Sequence, residues 1–457
     1  MHVAIVGTGW VGLTTGAVLA FLGNSVIGHD ANEGLITELR KGRVPFYEPH
    51  LATLVAEEAA AGRLSFTADL GTALAAAEVV FIAVGTPLTP DGQSVEMHYV
   101  NSAAHAIGLY LQPDRFRVIV NKSTVPAGSN GWVDSFIRAG LHERGMLDRV
   151  DYAVASNPEF LREGSAIADT LYPDRIVIGA DDRRALEMLR ELYRPVLTQR
   201  FVPPPYLPRP AGLEQVPLVE VDPVTAELLK YAANAYLATK ISFINEIANI
   251  CDLVGANVKD VALGIGLDKR IGQAFLNAGV GWGGSCFPKD LAALIHEAEI
   301  YGYNAQLLKA AAELNSLQRL VVVRKLQELL KTVRGKTVGV LGLAFKPETD
   351  DLRGAPAIEI IRKLSEIGAV VRAYDPAATE RCKKLYPELP AALCGSVSEV
   401  AAGADALILV TEWQEFLAAD WEGIYPLMRT PVIVDGRNAL NKSYLEGLGF
   451  VYRGVGV

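Results

Sequence analysis

A cysteine set among glycines and followed by charge is the first candidate for chemistry: GGSCFPKD, residues 283–290. The chain has four cysteines, Cys251, Cys286, Cys382 and Cys394, and a lone cysteine is more often a small buried hydrophobe than a nucleophile. The neighbours of Cys286 argue the other way. Glycines give the backbone freedom for close ligand approach, Lys289 can favour a thiolate, and Asp290 can act as a base. Next to a hydride acceptor, such a thiol would carry an oxidation through a thiohemiacetal and a thioester. The cysteines form no CxxC pair and have no nearby histidine, so no metal site is expected. Reduced thiols in a cytosol fit better than a disulfide framework.

Three further groups could share the work. NPEFLREG (157–164) places Glu159 and Glu163 four apart, on one face if the segment turns helical. Paired carboxylates suit acid–base chemistry, although acids also favour an ordinary first helical turn. Lys230 and Asn234 are four apart within a long, mostly apolar helical pattern. The lysine there either snorkels to the surface or points into a polar site, where its ammonium would hold an oxyanion. Thr86 in VGTP (84–87) and Thr124 in KSTVP (122–126) end apolar runs. They line a cofactor cleft or belong to ordinary turns.

These residues need a scaffold. HVAIVG is a short apolar run that leads into GTGWVG (7–12) and a helical pattern. Gly7 permits the tight turn, Gly9 lets the backbone approach a pyrophosphate, and Gly12 lets helix and strand pack closely. Asp30 ends the next strand, NSVIGHD, where it can accept from ribose hydroxyls, which favours NAD over NADP. Further runs, AEVVFIAVGTP, FRVIVNKSTVP, YAVASNPEF and DRIVIGA, alternate with helical segments, as in an open parallel sheet with ligands at the carboxyl ends of its strands. Residues 3–28 carry no charged side chain. The absence of a basic leader and the interrupting glycines make this a buried strand, turn and helix rather than a membrane or signal segment.

The middle of the chain changes character. FVPPPYLPRPAGLEQVPLVE (201–220) cannot be a helix and reads as an extended connector. Asp222 and Pro223 then give an N-cap and first helical position, and no breaker follows until Gly255. From Lys336 the opening scheme returns: KTVGVLGLAFKP, AVVRAYDP, ADALILVTEW and PVIVDGRN follow the order of the first four strands. The copy lacks the glycine fingerprint, so it should bind something other than a dinucleotide. A chain of 457 residues exceeds one core. The expected fold is α/β: two Rossmann-like doubly wound domains (1–202 and 331–457), a Pro-rich connector (203–221), and a helical middle domain (222–330) with a long central helix. A formal charge of −9 argues against nucleic-acid binding.

In order along nearly the whole chain stand GxGxVG, VGTP, KSTVPxG, NPEFLREG, LLKYAANAYLATKISFINE, RIG–x–x–FL–x–x–GxGxGGSCFPKD, FKPxTDDLR and DGRN. By these motifs the chain resembles the UDP-glucose/GDP-mannose dehydrogenase family. The resemblance implies a cytoplasmic homodimeric enzyme that oxidises a sugar C6 alcohol to a carboxylate with two NAD⁺ and one water. UDP-glucose is the favoured substrate, with GDP-mannose or a UDP-N-acetylhexosamine as the alternative. It makes Cys286 the nucleophile and gives Lys230 and Asn234 the developing negative charge. Asp290 partners the catalytic water, and Thr124 and Glu159 pass protons through water. It implies NAD contacts at Val11, Asp30, Thr86, Thr124, Glu163, Lys289 and Arg353, beside Gly7, Gly9 and Gly12. Substrate contacts fall on Glu159, Phe160, Leu161, Glu163, Lys230, Asn234, Arg270, Phe275, Asn277, Gly279, Gly283, Phe345, Lys346 and Arg437. Arg270 is the residue that can reach a neighbouring subunit's substrate. The chain departs from the pattern at Leu35, where many relatives carry a lysine for the adenosine ribose, and at Trp282 and Gly354.

Overall fold

A computed structural model describes residues 1–457. The chain divides into two compact units, Met1–Ala233 and Asn234–Val457. No helix is long and apolar enough to cross a membrane.

The first unit is built on eight strands: β1 (His2–Val6), β2 (Ser25–His29), β3 (Leu64–Thr67), β4 (Val79–Ile82), β5 (Arg117–Asn121), β6 (Tyr152–Ser156), β7 (Ile176–Gly179) and β8 (Leu218–Val221). Their order is β3-β2-β1-β4-β5-β6-β7-β8. Every residue of β4 and β5 is buried, the pattern of a parallel sheet covered on both faces. The sheet is not parallel throughout. β6 and β7 meet antiparallel through Ser156 and Gly179, and β8 pairs parallel with β7. Between β6 and β7 the chain carries only the six-residue helix Ala166–Leu171, not a full crossover helix.

Residues 201–217 contain neither helix nor strand, as the prolines require. The expected connector ends differently, however, since Leu218–Val221 joins the sheet as β8. The segment is anchored: Tyr172 Oη donates to Leu207 O (2.9 Å), and Arg209 Nη2 donates to Phe201 O (2.8 Å).

Pro223–Val254 is one helix of 32 residues, about 48 Å at the usual rise. Asp222 caps it by accepting from Thr225 N (2.9 Å) and Thr225 Oγ1 (2.6 Å), and Gly255 closes it at φ 76°. The division between the two units falls within this helix.

In the second unit the helices Val258–Gly266, Phe287–Ile300, Gln306–Gln318 and Val321–Leu330 precede a six-stranded parallel sheet. Its strands are β9 (Thr337–Leu341), β10 (Val370–Tyr374), β11 (Ala392–Leu393), β12 (Ala406–Leu409), β13 (Val432–Asp435) and β14 (Val451–Arg453). The order β11-β10-β9-β12-β13-β14 repeats that of the first six strands. Detail repeats too: Gly342 (φ 99°) follows β9 as Gly7 (φ 100°) follows β1. Leu343 N donates to Asp375 (2.7 Å) as Thr8 N donates to Asp30 (3.0 Å).

The copies then diverge. Asp375 is 1% exposed and also accepts from Ala344, Ala377 and Ala378 N and from Trp413 Nε1. It has no face left for a ribose. After Gly342 the next helix starts only at Pro356, so no helix N-terminus meets the turn as Trp10 does in the first copy.

Candidate active site

The glycine turn of the first unit has the shape a dinucleotide needs. A Cβ on Gly7 would lie 2.7 Å from Ala83 O, and one on Gly12 would lie 1.9 Å from Gly7 O, so strand and helix touch through glycine. A Cβ on exposed Gly9 would meet no protein atom within 4 Å, which leaves that backbone open to a ligand. The helix Trp10–Phe21 has no capping side chain and no acid in its first turn, so its N–H groups, with half-buried Val11 among them, suit a pyrophosphate. Asp30 is held by Thr8 N, Thr8 Oγ1 (3.2 Å) and Asn32 N (3.0 Å), yet remains partly exposed. Half-buried Thr86 follows β4. These residues fit NAD.

At the carboxyl end of the same sheet lies a buried charge cluster. Lys230 does not snorkel. It is 3% exposed, with Nζ 3.1 Å from Glu159 Oε1, and Glu159 is 6% exposed. Glu159 Oε2 accepts from Leu161 N (2.7 Å). The segment 157–164 is not helical, so Glu159 and Glu163 do not share a helix face. Pro158 and the local Glu159–Leu161 bond hold it as a loop. Lys122, at the end of β5, is 7% exposed and donates to Asn157 Oδ1 (3.0 Å), which also takes Tyr193 Oη (2.6 Å).

Burial pushes Lys122 down to about 8, with Glu159 opposing and Lys230 reinforcing the shift. Burial is also the strongest influence on Glu159 and would raise it. Lys230, the Leu161 N–H and Lys122 together outweigh it and hold the carboxyl below its ordinary range. Two ammonium groups thus share one carboxylate. Thr124, Asn121, Ser156, Glu227 and Lys230 line a small adjoining cavity. Both amide atoms of Asn121 are buried without a protein partner, an orphan that a polar ligand would satisfy.

In the second unit Cys286 is the N-cap of the helix Phe287–Ile300, with Ser285 Oγ 3.6 Å from its sulfur. Asp290, in the first turn, is fully buried. Asn234 Nδ2 donates to its Oδ2 (2.6 Å) and Lys289 Nζ to its Oδ1 (2.6 Å). Lys289 is therefore paired with Asp290.

The glycines before the cysteine serve packing rather than ligand approach, a correction to the expectation. A Cβ on Gly283 would lie 2.3 Å from Gly354 O, one on Gly284 would lie 2.8 Å from the Phe345 ring, and one on Gly279 would lie 2.6 Å from Gly436 O. Gly284 N also donates to Arg353 O (3.0 Å). The loop is pinned against three others, which fixes the cysteine at the head of its helix. Trp282 belongs to this scaffold: its Nε1 donates to Ser242 Oγ (3.0 Å).

A cavity of about 450 Å³ in this unit is lined by Phe275, Asn277 and Arg437, with Lys259, Gln273 and Asn438. Phe275 (φ 64°) and Asn438 (φ 54°) both take left-handed backbone there, the kind of strain that clusters at ligand sites. Arg437 is fixed by three carbonyls, Val410, Gly281 and Phe345.

Other anticipated residues lie outside this lining. Arg270 is exposed and paired with Asp268 (2.6 Å). Arg353 is paired with Asp351 (2.7 Å), and Lys346 Nζ stands 5.6 Å above the Phe345 ring. Phe160 and Leu161 line a first-unit cavity with Lys122, and Phe160 carries the Arg175 guanidinium at 3.6 Å.

Sequence reasoning passed over Lys122, Glu48 and Glu227. Glu48 accepts from Gly164 N (2.7 Å) and Ala166 N (2.8 Å), so it holds the segment that follows Glu163. The available signals were a lysine directly after the apolar run Val118–Val120 and a glutamate one turn before Lys230.

A protein on this plan is a dinucleotide-dependent oxidoreductase. Residues 1–197 match the NAD-binding domain of the UDP-glucose/GDP-mannose dehydrogenase family, residues 224–317 its central domain and residues 339–442 its UDP-binding domain. The chain belongs to this family. It is an NAD-dependent dehydrogenase of UDP-sugars. It is 45% identical to a UDP-glucose 6-dehydrogenase of Rhizobium meliloti, across 100% of this chain and 99% of that one. It is 42% identical to a UDP-glucose 6-dehydrogenase of Bacillus subtilis, across 99% of this chain and 93% of that one. The solved structure of a UDP-glucose dehydrogenase from Pyrobaculum islandicum superposes with a TM-score of 0.87 at 37% identity, covering 99% and 97% of the two chains.

Proposed function

We propose that the protein oxidises C6 of UDP-glucose to the carboxylate of UDP-glucuronate, through a covalent intermediate on Cys286. The carrying observation is the cysteine at a helix N-terminus, with a buried Asn234–Asp290–Lys289 cluster one turn below it. Whole-length likeness to UDP-glucose 6-dehydrogenases supports the choice of sugar.

Bound NAD⁺ supplies the acceptor for a hydride in each of two oxidations. In the first, C6 loses the hydride while the hydroxyl proton passes by way of Thr124 and Glu159 to water. The Cys286 thiolate, favoured by the helix N-terminus, then bonds to the aldehyde carbon and forms a thiohemiacetal. Lys230 and Asn234, one turn apart on one helix, stabilise the oxyanion. Loss of the second hydride leaves a thioester. Water guided by Asp290 attacks it, breaks the S–C6 bond and returns the thiol. The Phe275, Asn277 and Arg437 cavity suits the nucleotide, offering a ring, an amide and a cation. The family resemblance also assigns Gly279, Gly283, Phe345 and Lys346 to the substrate, Glu163, Phe160 and Leu161 to its sugar, and Thr86, Lys289 and Arg353 to NAD.

We also read the chain as a cytoplasmic homodimer with domains 1–202, 222–330 and 331–457, the connector 203–221 between the first two closing on the first sheet as β8. Tyr236, Phe243 and Ile250 recur every seven residues on the long helix and are 63%, 48% and 47% exposed, a stripe suited to a second copy. Arg270, exposed and paired only within its own loop, would then serve the neighbouring subunit's substrate.

The test is NADH formation from a panel of sugar nucleotides. UDP-glucose should turn over fastest and give two NADH per sugar. A yield of one removes the thioester step, and faster turnover of GDP-mannose or a UDP-N-acetylhexosamine overturns the substrate.

A further inference from the structure

We propose that Glu227 is the positioning residue of the proton-handling set, a single buried carboxylate that holds Thr124, Glu159 and Lys230 in register. This role rests on the dehydrogenase reading above and deepens it.

Glu227 lies three residues before Lys230 on the long helix, so the two side chains share a face. It is 4% exposed. Its Oε2 accepts from Gly128 N (2.7 Å), and its Oε1 accepts from Asn130 N (2.9 Å) and Ser156 Oγ (2.8 Å). Each donor belongs to a different piece of the site. Gly128 and Asn130 begin the helix Ser129–Glu143, directly after the loop that carries Thr124. Ser156 is the last residue of β6, three before Glu159.

A structural cap alone would not need this arrangement. Helix N-termini are ordinarily capped by their own Ser, Thr, Asp or Asn, yet here the cap residue is Gly128 at φ 88° with no side chain to offer. The acceptor comes instead from 99 residues away, on the helix that bears the catalytic ammonium. Glu227 also lines the same cavity as Thr124 and Lys230.

The clamp has a charge state. Burial raises Glu227 to about 7 against the pull of Ser156, Gly128, Asn130 and Ser129. On the elements around it, Lys230 lies on its own helix, Lys122 at the end of β5 and Glu159 beyond β6, and the capped helix carries Asp134, Arg138 and Glu143 farther along. The first turn of Ser129–Glu143 carries no charged residue. A protonated Glu227 loses acceptor capacity, so the ionised form is the one that holds all three donors.

The test is the pH dependence of kcat with UDP-glucose and NAD⁺ for the wild type, Glu227→Gln, Glu227→Asp and Ser156→Ala. Glu227→Gln should lower kcat about tenfold or more, change both KM values by no more than about twofold, and abolish the acid limb near neutrality. Glu227→Asp should restore that limb. Ser156→Ala keeps the carboxylate but removes a donor that favours its ionised form, so its acid limb should move to higher pH. A Glu227→Gln enzyme with wild-type kcat and an intact acid limb overturns the proposal. If Glu227→Gln fails to fold, Ser156→Ala decides, and an unmoved acid limb overturns the proposal equally. A wild type that forms no NADH from UDP-glucose overturns the underlying reading before any variant is compared, and this role with it.

Discussion

Glu159→Gln isolates the buried charge cluster, because glutamine keeps the shape and removes only the charge. In the wild type Glu159 sits 3.1 Å from Lys230 and is the counter-charge that opposes the burial of Lys122. Breaking a buried pair by removing one partner costs about 3–5 kcal/mol. For a unit of this size that loss lowers the unfolding temperature on the order of 10 °C. Two linked groups fix the pH dependence. The carboxyl is held below its unfolded value of 4.5, so its stabilising contribution is present above that value and lost as pH falls through the folded one. Lys122 is held at about 8 against 10.5 unfolded, so the native state sheds its proton first and stability rises with pH above about 8. Without Glu159 this rise starts lower still. The gap between wild type and variant should therefore be widest at roughly pH 5 to 7 and narrow in both directions. Differential scanning calorimetry across that range measures it. A variant as stable as the wild type at neutral pH, or a gap that widens toward pH 9, would refute the cluster.

Cys286→Ser should fold with an unchanged melting temperature and lose NADH formation by about three or more powers of ten, as read by steady-state kinetics. Asp30→Ala should raise the KM for NAD⁺ roughly tenfold to a hundredfold, since charge-assisted bonds to a ribose are worth about 1.5–3 kcal/mol, while the KM for UDP-glucose stays put. Gly283→Ala places a methyl 2.3 Å from Gly354 O, a backbone atom that cannot yield cheaply. It should destabilise the second unit by about 1–3 kcal/mol in thermal unfolding, and a neutral outcome would contradict the packing role given to that glycine.

What was legible in the sequence was what depends on local periodicity or on a side chain's own spacing. β1, β2, β4 and β5 announce themselves as apolar runs, and the long helix is bracketed by Asp222–Pro223 and Gly255. Short strands escaped. β14 has three residues and β11 two, too few to set a period, while four-residue β3 (LSFT) and β8 (LVEV) are broken by polar residues where four-residue β4 (VVFI) is wholly apolar. The reversal at β6–β7 escaped because nothing local marks strand direction. At the site, residue types pointed to Cys286 and Asp290, but the use of the glycines did not follow from them. Only the neighbouring loops, Gly354, Phe345 and Gly436, decide whether a missing Cβ admits a ligand or a second backbone. Lys122, Glu48 and Glu227 stayed hidden for the same reason: each partner is dozens of residues away.

The two Rossmann-like sheets show how little separates a dinucleotide site from its silent copy. Strand order, the left-handed glycine after the first strand and the acid after the second are common to both. In the first, a helix begins directly after the turn and Asp30 keeps an exposed face. In the second, the Trp413 indole and four backbone N–H groups close around Asp375, and the turn runs on into Phe345 and Lys346 without a helix. A carboxylate satisfied inside the protein gains nothing from a ribose, and a turn without a helix terminus offers no anion site. The second copy keeps the shared frame and turns it to another use, as the match of residues 339–442 to a UDP-binding domain requires.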